Sequence, residues 1–434
     1  MDKMADVLGR AGAWCGQNKY LSAIKNAFQN FMPLTIAGAI GVLWCNVLVN
    51  DQTGLGLFFK PIMALDFLNP AFQAVNFCTI SCITVGITLG IAQEIGVWNM
   101  GAERAGYIPG LVGLAAWLSV TNTSHMVDGA KEAFTGIAGN ELGATGLFTG
   151  MIIGVLSVEL FCFFEKQDAL KIKMPEQVPP GVARAFEVLV PATITLIITA
   201  CIGSACYNLT GLYLNDVIKN GIQGPLGAVG ATIPGVMIIY LVIMLFWLLG
   251  IHGNNMLSAV KEALFTPLAL ENVEAFNKGE TPKNIINMYA LQMWGEFGGS
   301  GVTIGLVIAI MIFGKREDNK AIATLSLVPG LFNINETVTF GIPMVLNPIL
   351  GIPFVVAPLV TIIIGYVLTV IGFCPVACLT VPWTTPPIVF GFLACGANVM
   401  GAVTQAILIV VSTVIYVPFL ISYEKYQNKQ AAEA

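Results

Sequence analysis

Apolar runs long enough to cross a lipid bilayer recur along this sequence and restrict its possible folds more than any other feature. A spanning helix needs roughly 20 mainly apolar residues. Such runs cover about residues 31–49, 67–92, 106–122, 144–164, 186–206, 229–250, a stretch ending at Phe313, 352–373 and 401–422. Because 56% of the residues are hydrophobic and only 10% are charged, the sequence predicts an all-α polytopic membrane protein.

The rest of the composition excludes several classes of protein. The net charge is -5 and there is no block of basic residues, so the chain has no electrostatic footprint for nucleic acid. The ten cysteines lie mostly inside apolar runs without a CxxC pair, which indicates small buried hydrophobic residues rather than a redox or metal site. The two histidines lie in different halves of the chain. We therefore expect no metal and no cofactor.

The basic residues predict the orientation of the chain in the membrane. If the N-terminus is cytoplasmic, the inner segments of the first half hold Lys3, Arg10, Lys19, Lys25, Arg104, Lys166, Lys171, Lys173 and Arg184, and the outer loops hold Lys60, Lys131 and Lys219. This distribution satisfies the positive-inside rule. The N-terminal segment is polar and lacks the pattern of a cleavable signal. We expect both termini, including the polar tail from Tyr423 onward, to be cytoplasmic.

The two halves of the sequence differ in regularity. Residues 1–225 contain plain apolar runs with few internal charges and predict a scaffold of regular helices. Residues 226–434 are interrupted by glycine, proline and polar residues around positions 250–255, 298–301, 333–353 and 382–387. Interruptions of this kind are typical of transporter binding sites. We predict about ten transmembrane helices, with re-entrant hairpins in the C-terminal half.

One interrupted segment, Asn333-Ile334-Asn335-Glu336-Thr337, carries a carboxylate and two amides within otherwise apolar sequence. An acidic residue at membrane depth is a functional-site candidate. Amides and a carboxylate together donate to and accept from a polyhydroxylated ligand such as a sugar. Asn333 and the later Asn347 are equally consistent with capping of broken helices.

Four further side chains are candidates for the same site. His252 could pair with Glu336 when protonated, or could be a hydrogen-bonded structural residue. Glu296 could meet sugar hydroxyls or pair with Lys261. Trp383 could stack on a sugar ring or anchor the chain at the membrane interface. For Trp247, five residues before His252, anchoring is the favoured of the same two interpretations.

These motifs together resemble the membrane (EIIC) subunit of the bacterial phosphotransferase system. The resemblance rests on the segment from Phe332 to Pro348 and on Gly250-Ile251-His252-Gly253, Gly298-Gly299-Ser300-Gly301 and Pro382-Trp383-Thr384-Thr385-Pro386-Pro387. It is to the lactose, cellobiose and diacetylchitobiose branch and covers the whole chain. One departure is Thr337, where the family usually has proline after Asn-x-Asn-Glu.

The resemblance implies a specific function in the bacterial cytoplasmic membrane. It implies a homodimer, formed by the first half, that translocates a β-linked disaccharide bound in the second half. The sugar 6-hydroxyl then receives a phosphoryl group from a phosphocysteine on a separate EIIB subunit, with EIIA upstream.

The same resemblance assigns roles to the candidate residues. Glu336 and His252 would sit at the reacting hydroxyl as the catalytic pair. The other candidates would bind the rest of the sugar; they are Asn333, Asn335, Glu296, Asn254, Trp383 and Trp247.

Two other functions remain open at the level of the residues. A secondary sugar transporter coupled to H⁺ or Na⁺ would use Glu336 and Glu296 as ion-linked carboxylates. A membrane-bound enzyme or receptor would bind sugar without moving it, and the broken second half argues against that class.

Overall fold

The computed structural model describes Trp14 and residues 17–51, 55–125, 134–175, 177–342, 344 and 347–433. It divides into two compact units, the first made of residues 17–38 and 74–228 and the second containing residues 39–73 and 229–434. We call the first the bundle unit and the second the broken-helix unit. The roles predicted for residues 1–225 and 226–434 stay predictions.

The described residues are mostly helical. The first ten α-helices are α1 (Lys19–Leu43), α2 (Asn69–Asn76), α3 (Ile83–Met100), α4 (Ala102–Ala105), α5 (Ile108–Val120), α6 (Gly139–Leu142), α7 (Ala144–Glu165), α8 (Pro180–Thr210), α9 (Leu214–Ile218) and α10 (Gly224–Gly230). The remaining helices are α11 (Ile233–Leu248), α12 (Gly253–Asn277), α13 (Met288–Gly295), α14 (Ile304–Phe313), α15 (Glu317–Leu331), α16 (Glu336–Gly341), α17 (Gly351–Val370), α18 (Val389–Ala394) and α19 (Val399–Glu433).

Short irregular elements connect these helices. Turns of 3-10 or π-helix occupy Trp44–Leu48, Leu55–Leu57, Lys60–Leu68, Phe77–Ser81, Asp168–Leu170 and Lys219–Gln223. Two strands, β1 (Ser124–His125) and β2 (Phe134–Thr135), form an antiparallel ribbon. The sheet content of the described residues is therefore minimal, as the hydropathy pattern predicts.

Several helices are long and apolar enough to cross a membrane. Five such segments lie within the described residues: Lys19–Leu48, Ala144–Glu165, Pro180–Thr210, Gly351–Val370 and Val399–Glu433. The segment Lys60–Ser81 and α3 count as a sixth if they form one bent span. Helices α5, α11 and α14 are shorter apolar helices. The predicted all-α polytopic fold is confirmed. The described residues hold five or six candidate spans, and the total of about ten spans stays a prediction.

Two helices differ from the sequence prediction. The predicted run 67–92 is not one straight helix, because Cys82 leaves the helical conformation and the axis bends by 42° before α3. The segment after Tyr423, expected to be a polar tail, continues α19 to Glu433. Its buried Glu424 carboxylate accepts hydrogen bonds from the backbone N–H groups of Lys315 and Arg316, and these contacts hold the end of the helix in place.

The bundle unit is built on closely packed regular helices. Helix α3 packs against both α5 and α7. A Cβ atom added to Gly113 of α5 would lie 2.3 Å from Cβ of Ala92 in α3. On α7, a Cβ atom at Gly150 would lie 2.2 Å from Oγ1 of Thr88. Small residues of this kind let helix backbones approach each other within a membrane.

Charged side chains of the bundle unit gather at helix ends. The buried Glu165 at the end of α7 pairs through Oε1 with Arg104 at 2.8 Å and with Arg184 at 2.9 Å. Glu187 also pairs with both arginines. Arg104 lies on α4, and the other three residues lie at either end of the 165–184 connection. These ion pairs therefore link helices α4, α7 and α8.

The broken-helix unit combines long helices with short ones. Helix α14 packs on α15 and on the long α19, which also contacts α17 and α18. Helices α13, α16 and α18 are short and adjoin the irregular segments 296–303, 332–335 and 374–388. The predicted interruptions are thus present. They place backbone and polar side chains inside a helical unit, where sequence analysis expects the site.

Candidate functional site

The site is centred on an acid and an imidazole from two separate breaks. Glu336 is the first residue of α16, and His252 directly precedes α12. Oε1 of Glu336 lies 3.9 Å from Nε2 of His252, and their side chains are 48% and 39% exposed. The predicted pair is therefore brought together, and both side chains remain open to a ligand.

Local contacts fix the orientation and tautomer of His252. Its Nδ1 accepts a hydrogen bond of 3.2 Å from the backbone N–H of Asn255. In a neutral imidazole the other nitrogen then carries the proton, so Nε2–H points towards Glu336. The neighbouring Gly253 lies against the carbonyl of Ile243, where an added Cβ atom would come within 2.0 Å of the oxygen. Glycine is needed there to bring His252 close to α11.

Trp247 lies behind the imidazole instead of facing open space. The ring centroids of Trp247 and His252 are 4.5 Å apart, and Trp247 is 3% exposed. A ring so deeply buried inside the protein is available neither for interface anchoring nor for direct stacking on a sugar. In this structure Trp247 supports His252.

Asn254 and Asn335 meet at Ser300 in the glycine-rich break. Asn254 donates from Nδ2 to the Ser300 hydroxyl at 3.0 Å, and Asn335 donates from Nδ2 to the Ser300 carbonyl at 2.7 Å. The adjacent Gly299 has φ +88°, and a Cβ atom there would lie 2.6 Å from Cγ of Asn335. The structure thus joins the breaks at 252–255, 298–301 and 333–336 through these side chains.

Hydrogen bonds of Asn333 connect the glycine-rich break at 298–301 to the proline-rich break at 382–387. Asn333 adopts φ +62°, a left-handed conformation that asparagine tolerates better than most residues. Its Oδ1 accepts from the Gly298 N–H at 2.7 Å, and its Nδ2 donates to the carbonyls of Trp383 and Thr385. Asn333 therefore holds backbone on two sides. Among the described residues Gly298 is the donor to its Oδ1, which leaves a second acceptor position for the predicted contact with a sugar.

Two residues from the sequence prediction lie at the edge of this arrangement. The indole of Trp383 is 44% exposed, so its face is accessible to a sugar ring. Asn347 accepts through Oδ1 from the backbone N–H groups of Ile349 and Leu350, both at 2.9 Å. Asn347 therefore caps the turn at residues 348–350 that leads into α17.

Glu296 forms an internal ion pair. Its Oε1 pairs with Lys261 and accepts a hydrogen bond of 2.6 Å from the Tyr240 hydroxyl. Glu296 and Lys261 also lie within electrostatic range of His252. The pairing of Glu296 with Lys261 is one of the two alternatives that the sequence leaves open.

Sequence reasoning missed Ser300, Tyr240 and Thr385 as parts of this network. Tyr240 lies within a continuous apolar run, so no local pattern marks it. Among the described residues no group of three or more His, Cys, Asp and Glu side chains could hold a metal ion. The arrangement offers neutral donors, carboxylates and an exposed aromatic face, which are the groups that bind polyhydroxylated ligands.

Comparisons with known proteins agree on one family. The family model described as "Phosphotransferase system, EIIC" matches residues 25–358. The chain is 32% identical over 429 residues to the PTS system oligo-beta-mannoside-specific EIIC component of Bacillus subtilis (strain 168), covering 98% of this chain and 94% of that protein. It is 30% identical over 486 residues to the PTS system cellobiose-specific EIIC component of Lactococcus lactis subsp. lactis (strain IL1403), covering 98% of each.

A solved structure shares the fold over nearly the whole length. It is the crystal structure of the transporter ChbC, the IIC component from the N,N'-diacetylchitobiose-specific phosphotransferase system. The match has a TM-score of 0.88 at 30% sequence identity and covers 97% of each chain.

Proposed function

We propose that this chain, which belongs to the EIIC family of the phosphotransferase system, carries a β-linked disaccharide across the bacterial cytoplasmic membrane. The family makes the chain a multi-pass, sugar-transporting membrane subunit that works with an EIIB partner. Membership of this family therefore argues against an ion-coupled transporter. It also argues against an enzyme or receptor that binds sugar without moving it. The relatives named for cellobiose, oligo-beta-mannosides and diacetylchitobiose support a β-linked sugar.

The observation that carries the mechanism is the gap between Glu336 and His252. At 3.9 Å the two atoms are too far apart for a direct hydrogen bond. An oxygen atom placed beside them can lie about 2.8 Å from each, which is an ordinary hydrogen-bond distance. The 6-hydroxyl of the sugar would donate its proton towards Glu336 and accept the Nε2–H of His252. Two fixed partners would then orient this hydroxyl.

Phosphoryl transfer would proceed from this arrangement. The sugar oxygen attacks the phosphorus of the EIIB phosphocysteine and forms a P–O bond. The P–S bond breaks, the thiolate remains on EIIB, and the hydroxyl proton passes to Glu336. Such transfers depend mainly on positioning and charge stabilisation, and a well-placed general base contributes about 10²–10⁴-fold.

The remaining binding groups would hold the rest of the disaccharide. The exposed face of Trp383 is suited to stack on a sugar ring. The second acceptor position of Asn333 and the amide of Asn254 would meet hydroxyls at the joined breaks. Asn335, predicted as a further contact, is only 4% exposed and donates to the Ser300 carbonyl, so we propose that it holds the glycine-rich break in place instead of touching the sugar. We further propose that the protein is a homodimer, that EIIA acts upstream of EIIB, and that both termini are cytoplasmic.

The test is uptake of radiolabelled cellobiose and diacetylchitobiose by cells that express this chain with or without EIIB. We expect phosphorylated sugar to accumulate only with EIIB, to be lost in Glu336→Ala, and to be produced by inverted vesicles supplied with phosphorylated EIIB. Free sugar that accumulates without EIIB and disappears with an uncoupler would contradict the proposal and indicate ion coupling.

A further inference from the structure

We infer that Lys261 and Tyr240 position and neutralise Glu296, so that Glu296 accepts a sugar hydroxyl as part of a neutral, internally balanced group. The inference rests on the proposed function, because it concerns how the same site binds its sugar. It makes Lys261 and Tyr240 positioning residues for a neutral ligand.

The first support is the distribution of contacts on the Glu296 carboxylate. Both described partners, the Lys261 ammonium and the Tyr240 hydroxyl, contact Oε1. Lys261 also lies 5.5 Å from the centroid of the Tyr240 ring, so the three side chains form one cluster. With Oε1 held by these two donors, Oε2 is oriented as the acceptor for an incoming hydroxyl.

Burial makes the charge balance important. The side chains of Lys261 and Glu296 are 7% and 17% exposed. Breaking a buried ion pair by removing one partner leaves an uncompensated charge, whereas removing both partners is much milder. Without Lys261, Glu296 would be pushed to take up a proton. Protonation removes the uncompensated charge, and the neutral carboxyl group can still accept a sugar hydroxyl through its carbonyl oxygen.

The surroundings of Glu296 leave Lys261 as its counter-charge. Other described titratable groups that interact with Glu296 include Tyr240, His252 and Glu262. Glu262 is a second acid, whose carboxylate accepts a hydrogen bond from Thr266. Tyr240 is a neutral hydrogen-bond donor to Glu296, and Nδ1 of His252 accepts a hydrogen bond, the arrangement of a neutral imidazole. Within this described set Lys261 supplies the positive charge.

The helix that carries Lys261 connects the ion pair to the rest of the site. Asn254 and Lys261 are seven residues apart on α12, so they lie on one face of the helix, about two turns apart. Asn254 contacts Ser300 and Lys261 contacts Glu296. One face of α12 therefore contacts both ends of the 296–300 segment. Lys261 in this way positions the segment as well as the Glu296 carboxylate.

The test compares sugar binding by purified full-length protein across a set of variants. The variants are Lys261→Met, Lys261→Arg, Glu296→Gln, Tyr240→Phe and the double variant Lys261→Met/Glu296→Gln. Equilibrium binding of labelled cellobiose and diacetylchitobiose is measured between about pH 5.5 and pH 8.5, together with thermal unfolding. Lys278→Met is the matched control, since Lys278 directly follows α12 and pairs with Glu274 of that helix but is well exposed.

We expect Lys261→Met to weaken binding at neutral pH by about tenfold or more, because it leaves Glu296 unpaired. Its affinity should recover as the pH falls, because protonation removes the unpaired charge. The double variant should bind more tightly than Lys261→Met, and Lys261→Arg, which keeps the charge, should lose less. Lys278→Met should match the wild type.

Three outcomes would overturn the inference. One is a folded Lys261→Met with the affinity and pH profile of the wild type, and another is a double variant whose loss equals the sum of the two single losses. The third is a wild type that binds no disaccharide, which contradicts the proposed function as well. Normal sugar binding without phosphorylation by EIIB would contradict the proposed function alone and leave the role of Lys261 supported.

Discussion

The bundle unit and the broken-helix unit solve the same physical problem in different ways. Both must satisfy the polar groups of helices that lie in a membrane. In the bundle unit the helices are regular, small residues such as Gly113 allow close packing, and the ion pairs around Glu165 lie at helix ends. In the broken-helix unit the backbone is interrupted, and side chains such as Asn333 satisfy the exposed backbone groups.

The difference shows how a site for a polar ligand can be built at membrane depth. In a regular helix the backbone N–H and C=O groups bond to each other, so the helix presents only its apolar side chains to a neighbour. A broken helix releases backbone donors and acceptors, and it brings polar residues such as Glu336 and His252 inside the unit. The asparagines and glycines of the breaks are therefore expected to matter for sugar binding, while their counterparts in the bundle unit matter only for stability.

The largest effect on sugar affinity is expected for Gly299→Ala. The change requires a non-glycine residue at φ +88° and places a Cβ atom against Asn335. Strain of this kind costs about 1–3 kcal/mol before the steric conflict is added, so we expect affinity to fall by about a hundredfold. Equilibrium binding of labelled disaccharide to the monodisperse fraction is the measurement.

Gly113→Ala in the bundle unit is the matched control for that change. It also creates a steric conflict, with Ala92, and should lower the melting temperature without changing the affinity of the folded protein. If both alanine variants weakened sugar binding equally, the distinction between the two units would be wrong.

A smaller loss is expected for Asn333→Ala. The substitution removes the contacts to Gly298, Trp383 and Thr385, and each buried backbone group left without a partner costs about 1–3 kcal/mol. Because the affected segments carry the site, we expect affinity to fall by about tenfold. Asn26→Ala is the control: it removes a hydrogen bond to Glu94 in the bundle unit and should leave the sugar affinity unchanged. An equal loss of affinity in both variants would argue against the role of Asn333 in connecting the two breaks.

The smallest loss is expected for Trp383→Ala. An aromatic contact contributes about 0.5–1.5 kcal/mol beyond burial, which corresponds to roughly a two- to tenfold weaker affinity. Trp98→Ala removes an exposed tryptophan of the bundle unit and should have no effect on binding. Calorimetric titration of both variants with cellobiose checks this pair. Unchanged affinity in Trp383→Ala would exclude stacking on this indole.

The regular helices of the bundle unit could be predicted from the sequence because their signal is local. Apolar runs report helices directly, and the predicted run 144–164 corresponds closely to α7 (Ala144–Glu165). Where a run concealed a distortion, as at Cys82, hydropathy could not reveal it, because residues 77–86 around the bend contain no charged residue and no proline. The helical end of α19 was missed for the opposite reason: its residues are polar, and tertiary contacts through Glu424 hold them.

The site itself was predictable only in part. Glu336 and His252 stand out because charged and titratable residues are rare in apolar segments, and the structure brings them together. The hydrogen bonds of Asn333 depend on its left-handed backbone conformation, which no pattern of residue types reveals. The burial of Trp247 behind His252 was likewise not visible, since a tryptophan at the end of an apolar run has the same local sequence in either environment.

The central claim is that Glu336 orients and deprotonates the sugar hydroxyl, and single-turnover phosphoryl transfer tests it most directly. Phosphorylated EIIB is mixed with wild-type protein, Glu336→Gln or Glu159→Gln, each saturated with labelled disaccharide. Glu159 is an acid of the bundle unit that pairs with Lys19. We predict that Glu336→Gln still binds sugar but transfers phosphate at least about a hundredfold more slowly, while Glu159→Gln matches the wild type. Transfer at the wild-type rate by Glu336→Gln would contradict the account.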